Sequence, residues 1–237
     1  MVINPPSSLT FMELKESEFF DLIEGKRIAM VCDDEYCSNT LLHYFINRFS
    51  DTKQVYLIIY SDIKCRKLKI TFDSLFKIKP EFREVVDRIK IIKIGKSENI
   101  DFGELVTFVD EEEDIQEIMV RLKNTINSID NGSLLVFLGF DLLVYLHDSN
   151  KLFRLMKDLF TESKTFMEIH FETAFKSLDM ASQLFDVIVK VERNREFDLF
   201  SSRRTYDVYV YYSIFPELPP MVLYKIDETD VHTVMYG

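Results

Sequence analysis

The chain has 237 residues, with 29 Lys plus Arg against 40 Asp plus Glu, a formal net charge of −11. That balance argues against a general nucleic-acid binder, which needs clustered cation to neutralise phosphates. The composition, 47% hydrophobic and 29% charged, suits a globular protein with a sizeable core, and no apolar run reaches the roughly 18 to 20 residues of a membrane span.

Residues 13–24 carry Phe19, Phe20, Leu22 and Ile23 ahead of Gly25, the pattern of an N-terminal helix with a glycine at its end. Residues 27–32 (RIAMVC) read as a strand, and Leu41, Leu42, Phe45 and Phe49 then share one face of a helix over 40–49. The nearly continuous apolar run 54–60 (QVYLIIY) reads as a strand covered on both faces. Leu68, Ile70 and Phe72 alternate with Lys67, Lys69 and Thr71, which suits a short exposed strand or the approach to a helix running towards Ile78. Both readings stay open.

Pro80 fits a first helical turn followed by the face Phe82, Val85, Val86 and Ile89; the apolar run 89–94 and a short strand over 104–109 come next. Ile115, Ile118, Met119, Leu122, Ile126 and Ile129 hold a 3.6-residue period, so a helix is expected there, stopped by Asn131 and Gly132. Its acidic start, Glu111 to Asp114, reads as favourable electrostatics at the positive end of a helix dipole. A strongly apolar strand, LLVFLGF over 134–140, ends in Asp141. A helix over 151–160, a strand over 165–171 and a helix near 174–184 complete a repeated βα order, which implies a parallel sheet flanked by helices. Three alternating runs, around 187–192, 206–212 and 221–226, then form an antiparallel meander extending that sheet.

No repeat or Pro/Gly/Ser-rich linker divides the chain, so residues 1–237 are expected to form one domain: an N-terminal helical segment (1–26), a βα core (27–184) and a β meander (185–237). The first ten residues lack the features of a signal peptide, and a cytoplasmic location is expected. Cys32, Cys37 and Cys65 fit no paired zinc-ligand spacing and are read as reduced thiols. His43, His147, His170 and His232 show no metal-site spacing.

Ligands of open α/β sheets bind beyond the carboxyl ends of the strands, which directs attention to Asp33, Asp34 and Glu35, then Asp62, then Asp141. The order strand, loop, helix and distant strand ending in Asp141 is that of a P-loop NTPase, but the loop chemistry differs. Residues 32–40 read CDDEYCSNT, with no glycine and no lysine, and only Ser38 or Thr40 to supply a hydroxyl. Asp33, Asp34 and Glu35 would repel a polyphosphate.

Across RIAMVC, its loop, QVYLIIY, the long helix, LLVFLGFD and the three-strand tail, the chain resembles the RecA/KaiC-like superfamily of P-loop ATPases. IIKIG followed by FGELV is similar to an archaeal family that shares this core without a working P-loop. The resemblance implies a three-layer α/β/α RecA-like domain with a mainly parallel sheet and a C-terminal antiparallel meander. It also implies that Asp141 stands at the Walker B acid position and that a homo-oligomer or other protein partner is plausible. The expected function is a non-catalytic scaffold or regulatory protein acting through protein contacts, with neither nucleic acid nor membrane as partner, no cofactor and no catalytic residue assigned. The alternative is a magnesium-dependent enzyme or sensor in which Asp33, Asp34 and Asp141 hold the cation, because hard oxygen ligands suit magnesium. IAMVCDDE also resembles the first strand of a response-regulator receiver, ranked lower because the run 89–94 ends in Gly95 and Lys96 where that fold needs an acceptor Asp. A local basic patch, Lys64, Arg66, Lys67 and Lys69, is the remaining feature that net charge hides.

Overall fold

The computed structural model describes residues 25–33, 35–146, 149–159, 165–171, 182–193, 205–218 and 221–227. The helix expected over 13–24 and most of the one expected over 174–184 lie outside the described residues. Among the described residues nine strands form one sheet: β1 (Arg27–Cys32), β2 (Val55–Tyr60), β3 (Lys90–Gly95), β4 (Glu104–Asp110), β5 (Leu134–Leu138), β6 (Thr165–Phe171), β7 (Val187–Arg193), β8 (Thr205–Ser213) and β9 (Met221–Asp227). Their spatial order is β4-β3-β2-β5-β6-β1-β7-β8-β9. From β4 through β7 every pairing is parallel, and β8 and β9 add antiparallel strands, as the alternating tail predicts.

Helices α1 (Glu35–Phe49), α2 (Asp62–Ile78) and α3 (Phe82–Asp87) cover one side of the sheet; α4 (Ile115–Asn127), α5 (Asp141–Leu146) and α6 (Ser149–Leu159) cover the other. The period-2 geometry of a strand explains why β1 is apolar throughout. Ile28, Met30 and Cys32 enter the core beneath α1 and α2, while Ala29 and Val31 enter the core beneath α4 and α6. Each fully buried Leu, Ile or Phe contributes roughly 1.5–3 kcal/mol, so both layers bind strongly to the sheet.

One open reading is settled and one expected boundary changes. The segment over 67–72 is helical: Cys65, Leu68, Phe72 and Leu75 follow a helical period into the core, and the alternation around Ile70 is coincidental, since Ile70 is exposed. Helix α1 begins at Glu35, five residues before Thr40, because Cys37 and Ser38 are already buried in its first turn. The acidic run before α4 is local electrostatics in part: Asp114 is the N-cap, accepting the Gln116 N–H at 2.8 Å, and Glu113 pairs with Arg121 at 3.1 Å.

The connection from β3 to β4 has no helix. Residues 96–103 return along the sheet as an extended strap, with Ile100 and Phe102 packed into the core beneath α2. Parallel neighbours usually need a dozen or more connecting residues, so this strap must be fastened closely.

Candidate functional site at the carboxyl ends of the strands

The turn between β1 and α1 is two residues long, Asp33 and the residue after it, both acids in sequence. The Asp33 Oδ2 accepts the backbone N–H of Arg193 at 2.9 Å, tying the end of β1 to the end of β7. Across the start of the same two strands, Arg27 grips Asp186 through its side chain, at 3.0 Å from Nε and 2.5 Å from a terminal nitrogen. The neighbouring Asp186 raises the Arg27 pKa against the opposing effect of partial burial.

Asp141 is the first residue of α5, beyond Gly139 and Phe140 at the end of β5. Strand β6 lies between β1 and β5, so the ends of those strands stand two strand spacings apart, about 9.5 Å. Asp34 and the side chain of Asp141 lie outside the described residues. Among the described residues, no group of three His, Cys, Asp or Glu side chains is placed to hold a metal ion.

Asp62, at the end of β2, is already engaged. Its Oδ1 lies 2.7 Å from the ammonium of Lys93, and its Oδ2 accepts the Lys96 N–H at 2.9 Å. Partial burial pushes its pKa up, but the hydrogen bonds from Lys93 and the backbone of Lys96 outweigh this and hold it below the ordinary carboxylate value. Gly95 permits the approach, because a Cβ there would sit 2.9 Å from the Asp62 Oδ1. Lys93 itself is only 2% exposed and donates a second bond to the Asn99 carbonyl at 2.7 Å, so it joins α2 to the strap 96–103.

The backbone around this acid is strained. Ser61, the N-cap of α2, has φ 86° and ψ 145°, a region where only glycine is comfortable, and its hydroxyl accepts the Lys64 N–H at 3.3 Å. On the adjoining strand, Gly139 has φ +81°, and a Cβ there would stand 2.6 Å from the Tyr60 carbonyl oxygen. Ser61→Gly is expected to be more stable than Ser61→Ala by about 1–2 kcal/mol, since both lose the cap and only glycine relaxes the backbone. Equal urea midpoints for the two variants would refute the strain.

His43 sits on the buried face of α1, 3% exposed, with ring centroids 5.6 Å from Phe72 and 5.9 Å from Phe82. Neither ring nitrogen has a hydrogen-bond partner, and burial lowers its pKa to about 3. The ring is therefore neutral at physiological pH and out of reach of a solvent-borne substrate. Cys32, Cys37 and Cys65 are buried and form no disulfide, and burial pushes the Cys65 thiol up to about 11. The tail tyrosines do not share one face: Tyr206 is buried, Tyr212 packs against the α4 side, and Tyr211 is exposed.

Sequence reasoning placed acids at the strand ends but missed Ser61 and Lys93. A lysine flanked by isoleucines in the interior of the strand KIIKIG was the available signal, because such a residue is seldom buried without a partner. The backbone of Ser61 leaves no local signature.

No protein family and no curated protein sequence matches the chain. Solved structures do. A protein from Pyrococcus horikoshii OT3 aligns with a TM-score of 0.59 and 15% identity, covering 89% of this chain and 98% of that one. A KaiC-like protein from the same hyperthermophilic archaeon aligns with a TM-score of 0.55 and 11% identity, covering 94% of each chain. The fold is RecA/KaiC-like. At these identities the likeness establishes architecture alone, and the chemistry of a RecA/KaiC-like domain has to be argued from its own residues. Among the described residues, no helix is long and apolar enough to cross a membrane.

Proposed function

We propose that this RecA/KaiC-like domain is a scaffold or regulatory protein that acts through protein contacts and does not hydrolyse nucleotide. The observation that carries the reading is the two-residue acidic turn between β1 and α1. A phosphate cradle needs a glycine-rich loop whose backbone N–H groups wrap the phosphates, with a lysine to reach their oxygens. Two residues provide too few donors, and the carboxylate that Asp33 brings to the turn is taken up by the Arg193 N–H. Asp62, the acid at the end of β2, is consumed by Lys93 and Lys96.

Thermal unfolding with ATP and magnesium tests this. A ligand present at a hundredfold its Kd stabilises by about 2.7 kcal/mol, a rise of roughly 5–10 °C for a chain of this size. No rise is expected. A rise with ATP and magnesium overturns the proposal, and a rise with magnesium alone redirects attention to Asp33, Asp34 and Asp141.

A further inference from the structure

Helix α4 ends at Asn127 with Ser128 as its C-cap, so Asn131 and Gly132 lie beyond the helix stop and belong to the turn into β5. The Ser133 N–H donates to the Asp130 carbonyl at 3.1 Å, which places Asn131 and Gly132 at the two central positions of that turn, and Asp130, Asn131 and Gly132 are all exposed. The fold makes no demand for glycine here. Gly132 stays out of the left-handed region, and a Cβ on it would have no neighbour within 4 Å. Among the described residues, neither the Gly132 N–H nor the Asn131 carboxamide has a hydrogen-bond partner.

A backbone nitrogen that follows an asparagine can close a five-membered ring on the side-chain carboxamide, and a glycine leaves that nitrogen unshielded and its torsions free to turn. Asn131 is the only asparagine of the sequence that precedes a glycine. We propose that Asn131–Gly132 is a site of spontaneous covalent modification. The Gly132 nitrogen attacks the Asn131 Cγ; a C–N bond forms, the bond from Cγ to Nδ2 breaks, and the Gly132 amide proton passes through solvent to the leaving nitrogen, which departs as ammonia. The succinimide then takes up water at either carbonyl and opens to aspartate or isoaspartate, with no change of oxidation state. Either product adds a carboxylate beside Asp130 in a chain already at −11. Isoaspartate also lengthens the main chain just before the buried Ser133 and the first residue of β5, Leu134, whose N–H donates to the Gln54 carbonyl at 3.0 Å. Strand β5 lies between β2 and β6, so the modification falls at the entry to an interior strand.

Neighbouring asparagines provide the internal comparison. Asn124 lies within α4, and Asn127 precedes Ser128, whose N–H is bound to the carbonyls of Thr125 and Ile126. The test is to hold the full chain at neutral and at mildly alkaline pH, digest it in acid, and read the three asparagines by mass spectrometry with fragmentation that separates aspartate from isoaspartate. Conversion at Asn131 is expected to exceed that at Asn124 and Asn127 by at least about tenfold, because helical backbone has to open before its nitrogens can attack. It should quicken with pH, since the attacking nitrogen must lose its proton. Gly132→Ala should slow it by at least about tenfold, the added Cβ shielding the nitrogen and stiffening the turn, while the thermal midpoint stays level or rises slightly. Comparable conversion at all three asparagines, a rate indifferent to pH, or a Gly132→Ala chain that converts as fast as wild type each overturns the proposal. The comparison within the wild-type chain decides the matter whatever the variant's stability.

Discussion

Acidification from pH 6.5 to pH 3 is expected to withdraw roughly 4 kcal/mol of stability through His43 alone. Its pKa falls from 6.5 to about 3 on folding because burial penalises the imidazolium. Above pH 6.5 the ring is neutral in both states and contributes no pH dependence. Below that value the unfolded chain takes up a proton that the folded chain refuses, so stability drops by about 1.4 kcal/mol per pH unit until the folded pKa is reached. With both nitrogens unpartnered among Phe72 and Phe82, nothing in the pocket rewards the proton. His43→Leu removes the titrating group while keeping the volume filled. Its stability should equal or exceed that of wild type near pH 7 and then diverge upward at about 1.4 kcal/mol per unit below pH 6. Urea unfolding at a series of pH values measures this, and parallel profiles for the two proteins would refute it.

Asp62→Asn is expected to cost about 3 kcal/mol, because it leaves the Lys93 ammonium 2% exposed and held only by the Asn99 carbonyl. The estimate sits at the low end for a broken buried pair, since the Asp62 side chain is itself 39% exposed. The opposite deletion is milder. Lys93→Met leaves Asp62 in contact with water and with the Lys96 N–H, and should cost about 1–2 kcal/mol. The double variant should therefore recover most of what Asp62→Asn loses. Shifts in urea midpoint at constant slope measure all three. Equal losses in the two single variants would mean that the ammonium is not desolvated as the geometry requires.

Legibility in the sequence follows how local each cause is. Strand β1 could be read residue by residue because burial on both faces makes RIAMVC uniformly apolar, and the β8 and β9 tail because one side of each strand dominates its pattern. Helix α2 was ambiguous because Lys67 to Phe72 alternates by chance, and only packing against the sheet selects the face through Cys65, Leu68, Phe72 and Leu75. The strand-end positions of Asp33, Asp62 and Asp141 were readable from where apolar runs stop. The partner that occupies Asp62 was not, since Lys93 comes from a different strand and meets it only when β2 and β3 pair. The fastening of Asp33 to the Arg193 backbone is likewise a product of β1 and β7 lying side by side.

The helix-free strap between β3 and β4 bears on how the protein avoids sticking to itself. Strand β3 reads KIIKIG and is buried along nearly its whole length, a segment whose uncovered edge would template further strands. What covers it is β4, an edge strand paired with β3 from Lys90–Glu104 to Gly95–Asp110 and entered through a helix-free strap that Lys93 fastens at Asn99. Loosening that fastening is expected to lower the cost of a local opening of the strap and the β4 edge, the opening that would bare the apolar edge of β3.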